Sequence, residues 1–409
     1  MEVLSIVYLA YMFLSIYMLS LFFMIYIVNH KNLFYYPKTK KKYTISFLVP
    51  AYNEQDTIED TIKHILNIDY KHILEIIVIN DCSNDNTSKI LIDLKKKYDR
   101  LKIITNQKNL GKAGALNKAL KIAKGELIAV VDADSYPAPD SIKKMIGFFD
   151  DKKVGAVTCP IVARNTNKFL EKMQAIEYKV IAFTRKLLDY VDSIYVTPGP
   201  LAVYRKDALI DINGFDVKNI TEDIEATWHL THNGWDRRMS LDTWVSSTVP
   251  TKFWPWFVQR RRWNVGGLQC IYKYRKSLFK KGVLGWFIIP LFIASTFIGL
   301  LGLGIFAYLF TSRIISNYLL TKYSIITGTA ILTFDEFYIT PSILNYLGVV
   351  LFLFGLYFTL LNLFILKEKI LKKENLINIP FYMIVYLILY PFIMIGAIWH
   401  LAHGKRVWR

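Results

Sequence analysis

Two aspartates, Asp132 and Asp134, flank a single alanine directly after the apolar run at 127–131. In an extended segment, residues two apart point the same way, so both carboxylates face one pocket. Left alone they repel and raise each other's pKa. A divalent cation, Mg²⁺ or Mn²⁺, relieves that repulsion, and Mg²⁺ takes one or two carboxylates together with phosphate oxygens. The same residues also read as a solvated turn, because Ser-Tyr-Pro-Ala-Pro follows.

Three other stretches have types and spacing that could do chemistry. Lys112 follows Gly111 at the start of a helical pattern, where free backbone N–H groups favour an anion; an ordinary surface lysine beside Lys108 and Lys118 is the plainer reading. Thr221-Glu222-Asp223 opens another helical pattern. One reading makes Thr221 an N-cap with acids in the first turn. The other makes one acid a base that removes a proton from an attacking hydroxyl. The third stretch runs Trp254 to Trp263, W-P-W-F-V-Q-R-R-R-W, with three arginines among aromatics. Membrane proteins place Trp and Arg at their cytoplasmic interface, yet the same groups could hold a phosphate and a sugar ring. Pro198-Gly199-Pro200 reads as a rigid turn into a strand, whose glycine admits a close approach.

The elements that must position these groups alternate. Strand patterns at 45–49, 75–79, 102–105, 127–131 and 154–158 are separated by helical patterns at 56–66, 86–98 and 111–124. That spacing predicts an α/β domain with a mainly parallel sheet covered on both faces. In such sheets ligands sit beyond the carboxyl ends of the strands, which is where Tyr52, Asn53, Glu54, Asp81, Asp132 and Asp134 fall. No G-x-G-x-x-G follows the first strand, and the residues around Gly111-Lys112 lack the P-loop spacing. Dinucleotide and ATPase readings weaken accordingly.

The chain has 409 residues, 53% of them hydrophobic, unevenly distributed. Apolar runs at 3–28, 283–310, 343–366 and 377–401 each exceed the ~20 residues that cross ~30 Å of hydrocarbon. The expected organisation is a transmembrane helix at 1–30, the α/β domain at 43–250, interfacial amphipathic helices at 251–282 and a transmembrane bundle at 283–409. The first run lacks a basic n-region and a cleavage signal, so it reads as an anchor rather than a leader. Lys31, Lys38, Lys40, Lys41 and Lys42 follow it, and Lys273, Arg275, Lys276, Lys280 and Lys281 precede the second run. Both sets put the polar domain on the cytoplasmic face. Three crossings after the domain would leave Lys405, Arg406 and Arg409 outside, against that rule; a fourth crossing or re-entrant segment near 314–334 would restore it. The net charge of +18 sits largely beside these runs, where anionic lipid is the nearer partner, so a nucleic-acid partner is not expected. Cys82, Cys159 and Cys270 form no C-x-x-C and imply neither zinc site nor disulfide framework.

Val49-Pro-Ala-Tyr-Asn-Glu54, Asp81, Asp132-Ala-Asp134, Thr221-Glu-Asp223 and Gln259-Arg-Arg-Arg262-Trp263 occur in that order. Together they resemble the family-2 processive glycosyltransferases, which include synthases of cellulose, chitin, hyaluronan and poly-N-acetylglucosamine. The resemblance covers about residues 44–269. It implies a GT-A (Rossmann-like) domain between transmembrane helices, with Ala51, Tyr52 and Glu54 lining a uridine pocket and Asp81 touching the base. Lys112 would approach the diphosphate, Asp132 would sit by the ribose or the metal, and Asp134 would be the main metal ligand. Asp223 would be the general base, with Glu222 beside it. Gln259, Arg262 and Trp263, three and four apart, would share a helix face beside the diphosphate and the acceptor sugar; Arg260 and Arg261 would then turn towards lipid headgroups. Asn80 is a departure, since the family usually shows an acidic pair or Asp-Gly near that position. The layout is nearest to poly-N-acetylglucosamine and chitin-oligosaccharide synthases.

The implied function is an inverting transferase that adds sugar from a UDP-sugar, UDP-N-acetylglucosamine foremost, to a β-linked polysaccharide and passes it through the membrane. The bilayer is a partner, and there is room for a small membrane partner subunit. Transfer of one or a few sugars to a lipid-phosphate carrier is the alternative within enzymes. Outside them stands a basic membrane scaffold that binds nucleotide or lipid.

Overall fold

The computed structural model describes residues 3–328, 343–368, 372 and 374–403. Among these, ten strands are formed: β1 (Ile45–Ala51), β2 (Ile73–Asn80), β3 (Leu101–Thr105), β4 (Leu127–Val130), β5 (Ser135–Pro137), β6 (Val154–Thr158), β7 (Ile161–Ala163), β8 (Ala202–Arg205), β9 (Asp236–Met239) and β10 (Val245–Ser247). Seven make one sheet in the order β3-β2-β1-β4-β8-β6-β9. The pairs β1/β2, β2/β3, β1/β4 and β6/β9 are parallel, whereas β8 runs antiparallel to both β4 and β6. The sheet is therefore mainly parallel, as the alternation implied, with one reversed strand. A second small sheet has the order β5-β10-β7.

Within the domain the helices are α2 (Ile58–Leu66), α3 (Thr87–Lys97), α4 (Gly111–Leu120), α5 (Ser141–Met145), α6 (Phe169–Asp189), α7 (Lys206–Asp211), α8 (Glu222–His232) and α9 (Phe253–Tyr274); α1 (Val3–Asn29) precedes them. Buried clusters lie on both faces of the large sheet. One gathers Phe47, Val49, Ile62 and Leu91, the other Leu48, Ile77, Leu116 and Leu230. Successive strand residues alternate between these clusters, so strands buried on both sides read as continuous apolar runs.

After the domain come α10 (Ile289–Thr327), α11 (Ile343–Ile365), α12 (Asn375–Phe381) and α13 (Leu387–Ala402), the last two joined by a π-helical turn at Tyr382–Tyr386. Among the described residues, four helical stretches are long and apolar enough to cross a bilayer: Ser5–Asn32, Leu284–Thr327, Tyr346–Ile365 and Asn375–Ala402. Three share a consistent polarity. Tyr8 lies against Gly348 and Tyr11 against Gly302, while at the other end the rings of Phe22, Phe358 and Phe183 of α6 pack in sequence, tilted and edge-on. So α1 and α11 run towards the domain and α10 runs away from it.

Residues 314–327 continue α10 as one unbroken helix; the remainder of the 314–334 segment, apart from Gly328, lies outside the described residues, as do Lys405, Arg406 and Arg409.

Candidate active site

Each acid and base reaches the site from the end of a strand or the first turn of a helix. Asp132 comes two residues after β4, with Val131 N donating to Leu48 O at 3.0 Å, and Thr61 Oγ1 donates to Ala133 O at 2.7 Å to fix the intervening residue. Lys112 is the second residue of α4, behind Gly111 at φ +73. Its ammonium sits 2.6 Å from Asp132 Oδ1 and 2.7 Å from Glu222 Oε1. Glu222 and Asp223 begin α8. Asp223 Oδ1 accepts from Ile224 N at 2.9 Å and Oδ2 from Gly199 N at 3.3 Å. A Cβ at Gly199 would collide with the Lys112 ammonium and stand 2.8 Å from Asp132 Oδ2. The Pro-Gly-Pro glycine thus lets the chain lie against this cluster without displacing its ion-paired side chains.

The electrostatics follow from that packing. Burial pushes the Asp223 carboxyl up to about 6, with Glu222 adding to the rise and Lys112 opposing it. Asp134 also reaches about 6 through burial and the Asp132 charge. Glu54 rises to about 7, chiefly through burial, then through Asp134 and Asp132; Thr57 Oγ1 donates to its Oε2 at 2.7 Å. Burial alone would raise Glu222, but Lys112, helped by Arg262, holds it below its ordinary range. Burial disfavours the Lys112 ammonium, yet the fields of Asp132, Glu222 and Asp223 outweigh it and carry its pKa far above normal. Lys112, Asp132, Asp134, Glu222, Asp223, Glu54 and Arg262 therefore share one field.

Asp81 has structural work. Its Oδ1 accepts from Asn106 Nδ2 at 2.7 Å and from Leu110 N at 2.9 Å, and Oδ2 accepts from the same Leu110 N at 3.1 Å. These bonds hold the loop that delivers Lys112. Ala51 accepts from Asp81 N at 2.8 Å and is buried. Beside it, Asn53 at φ +57 and Cys82 at φ +64 turn the loops after β1 and β2. Asn84 N donates to Asn53 Oδ1 at 2.8 Å, knitting the two loops together. Tyr52 lies in the same turn, half-buried.

Two readings of the sequence need correction. Thr221 stands at the N-cap position of α8 as read, but makes no side-chain cap bond; its hydroxyl donates to Asn219 Oδ1 at 3.2 Å, and the residue packs against Gly266 of α9. Arg260 does not face lipid headgroups. It is fully buried and ion-paired with Glu177 of α6, with Nε donating to Oε1 at 3.1 Å. Its guanidinium also donates to the Gln259 carboxamide and lies 4.2 Å from the centre of the Trp263 ring. Glu177 accepts as well from Tyr386 Oη at 2.6 Å and from Tyr390. Glu177, Tyr386 and Gly266 are site-supporting residues that the sequence did not flag; Glu177 stood out little, because α6 also carries Glu171, Lys172, Lys179, Arg185 and Lys186.

Trp263 is half-buried, stacked on Arg260. Tyr178 links this platform to the acids: burial raises its phenol, and Arg260, Glu177 and Asp134 are all among the charges it feels. Arg185 of α6 is 5% exposed and its Nε lacks a hydrogen-bond partner among the described residues. Burial lowers its pKa, while Tyr195, Cys159 and Asp223 oppose that shift.

The Arg260–Glu177 pair predicts a stability effect. Removing one partner of a buried pair leaves an uncompensated charge and costs about 3–5 kcal/mol. Arg260→Met should therefore lower the melting temperature in detergent strongly, and Arg260→Met with Glu177→Gln should recover part of the loss. Equal melting of Arg260→Met and the parent chain would refute the account.

The sheet order and the single reversed strand, with acids at the strand ends, are those of a GT-A fold. Residues 46–212 match the family model described as glycosyl transferase family 2, so the chain carries a domain of that family. Among curated relatives, the poly-beta-1,6-N-acetyl-D-glucosamine synthase of Staphylococcus epidermidis (strain ATCC 35984) is 35% identical over 229 residues, 56% of this chain and 55% of the relative. The enzyme of the same name from Staphylococcus aureus (strain MSSA476) is 34% identical over the same extent. The aligned part thus spans little more than half the length of these relatives. Among solved structures, a mannosyltransferase from Pyrobaculum calidifontis in complex with GDP-Man and Mn²⁺ aligns with 97% of this chain and 100% of its own, at a TM-score of 0.59 and 18% identity. That likeness concerns the fold.

Proposed function

We propose that this chain is a multi-pass membrane glycosyltransferase whose cytoplasmic domain transfers sugar from a UDP-sugar, UDP-N-acetylglucosamine foremost, to the end of a β-linked polysaccharide with inversion. The observation that carries this reading is the convergence of Lys112, Asp132, Glu222 and Asp223 against Gly199, at the strand ends of a family-2 domain. The identity to poly-N-acetylglucosamine synthases supports the donor.

In this mechanism Asp223 takes the proton of the acceptor hydroxyl. Its oxygen attacks the anomeric carbon from the face opposite the diphosphate, the bond to the β-phosphate oxygen breaks, and UDP departs with the electron pair. A carboxylate with a pKa of about 6 is anionic at neutral pH yet basic enough to accept a proton. Lys112 and Arg262 supply positive charge where negative charge grows on the leaving group. Trp263 offers an apolar face to the C–H side of the acceptor ring, leaving its hydroxyl free.

The acids also suit a divalent cation. Asp134 lies beside Asp132 and is raised by burial and by that neighbour, a strain that a cation relieves. Asp134 and Asp132 would hold Mg²⁺ or Mn²⁺, which when bound supplies further charge stabilisation to the diphosphate. Asp134→Ala should abolish metal-dependent donor binding, read by titrating UDP-sugar with and without chelator. Unchanged turnover in excess chelator would sink the metal assignment.

UDP release from the purified protein over a panel of UDP-sugars, with the product sized, tests the function directly. Long polymer from UDP-N-acetylglucosamine is the expected outcome; one or a few sugars on a lipid carrier, or no release from any donor, would overturn it.

A further inference from the structure

Helices α12 and α13 look like a crossing by length and composition, since 28 residues from Asn375 to Ala402 contain no Asp, Glu, Lys or Arg. Their contacts differ from those of α1, α10 and α11. At the start, Glu374 pairs with Lys172 of α6 at 2.6 Å. In the middle, Trp256 Nε1 donates to Tyr386 Oη at 2.6 Å, and Phe257 and Arg261 of α9 lie against Gly396. At the end, Leu401 lines the same cavity as Tyr272 and Lys273. Positions 256 and 257–261 of α9 therefore touch 386 and 396, and 272–273 face 401 across one cavity, in ascending order. The two helices run parallel, side by side, for about 24 Å at 1.5 Å per residue. Both ends of α9 are held on the domain: β10 shortly precedes it, and at its far end Lys273 and Tyr274 bond Glu225. A helix lying along α9 for its whole length cannot also leave the domain and cross a bilayer.

The side chains agree. Tyr386, Ile393, Ala397 and His400 are buried, a stripe at helical spacing turned to the domain. Ile388, Phe392, Ile395 and Trp399 form a second stripe that is about half exposed. This stripe is apolar; α13 also packs on α10, and Trp254 of α9 and Trp286, ahead of α10, are exposed.

We propose that α12–α13 lies in the plane of the bilayer surface on the domain's side, with the stripe of Ile388, Phe392, Ile395 and Trp399 seated in the headgroup–acyl boundary, and does not cross. The occupant of that stripe is lipid, because α13 packs on the apolar helix α10 and the stripe includes Trp399, a residue type enriched at membrane interfaces. His403 then ends on the same side as the domain. Through Tyr386 and Tyr390 on Glu177, the in-plane helix steadies the buried partner of Arg260 and hence the platform under Trp263. The inference rests on the multi-pass reading above.

The test uses the full chain carrying Cys82→Ser, with one cysteine introduced at a time: Lys97→Cys on the domain, Thr321→Cys at the far end of α10, and His403→Cys. Labelling with a membrane-impermeant maleimide in intact cells and inverted vesicles should place position 403 with position 97 and opposite position 321. Labelling of 403 together with 321 would overturn the inference, whereas 97 and 321 on one side would instead overturn the multi-pass reading. Spin labels at 388, 392, 395 and 399 then report depth from collisions with oxygen and a nickel chelate. One common shallow depth is expected. A depth that changes steadily along the helix would mean a crossing, and protection from both reagents would mean a protein partner in place of lipid; either result overturns the proposal.

Discussion

Asp223→Asn should cut transfer about a thousandfold while leaving UDP-sugar binding within experimental scatter. The amide keeps the shape and can still accept from Ile224 N or Gly199 N through its one oxygen, but it cannot take a proton. Positioned general bases contribute about 10²–10⁴ in rate, so kcat should fall by about a thousandfold with donor affinity preserved. In the parent enzyme the same group sets the acid limb of the rate profile: with a pKa near 6, the reactive anion disappears as pH falls through that value. UDP release from pH 5 to 8 should drop below pH 6 for the parent, and the residual rate of the variant should lack that limb. A retained limb or retained turnover would remove Asp223 as the base.

Lys112→Met should have the second largest effect, for a different reason. The ammonium is the counter-charge for Asp132 and Glu222 at 2.6 and 2.7 Å and is felt by Asp223. Deleting it leaves three carboxylates facing one another in a partly buried pocket, at a cost of up to about 3 kcal/mol. Donor binding should also fail, since the lost cation no longer answers the diphosphate. The pH dependence gives the sign. In the parent, Glu222 is held below its ordinary 4.5, so its stabilisation is fully present above that value and is lost only in strong acid. In Lys112→Met the folded carboxylates titrate above their unfolded values, so the folded state gains stability as pH falls and they protonate. Asp223 and Asp134, near 6 in the parent, already give it a smaller rise of the same sign. Melting in detergent should therefore recover between pH 7.5 and 5.5 by clearly more in the variant than in the parent. Glu222→Gln added to Lys112→Met should restore part of the stability and none of the turnover. A variant that melts like the parent at pH 7.5 would refute the role of Lys112.

Much of this site was legible in the order of residues. Asp132-Ala-Asp134 and Thr221-Glu-Asp223 were marked by their places after an apolar run and at a helix start, which are local properties. The competing solvated-turn and surface-lysine readings could not be dismissed on the same basis, because pattern does not say what lies opposite. The sheet at the domain centre was equally readable, but the short strands β5, β7, β9 and β10 carry only three or four residues each, too few for a period to show. The positive φ of Cys82 left no trace in its residue type.

What the chain determined by itself was the set of elements with repeating polarity: apolar strands buried on both faces, long runs able to enter lipid, and acids stationed at their ends. These depend on side-chain character along a few turns of chain. Only the folded arrangement decided that the amine of residue 112 bridges carboxylates 20 and 110 positions away, that the first arginine of the Gln-Arg-Arg-Arg-Trp stretch turns inward to Glu177, and that the last apolar helices lie against the domain. A charge has no intrinsic partner, and an apolar face is equally content against lipid or protein. Both choices are made by whatever distant segment the fold brings alongside.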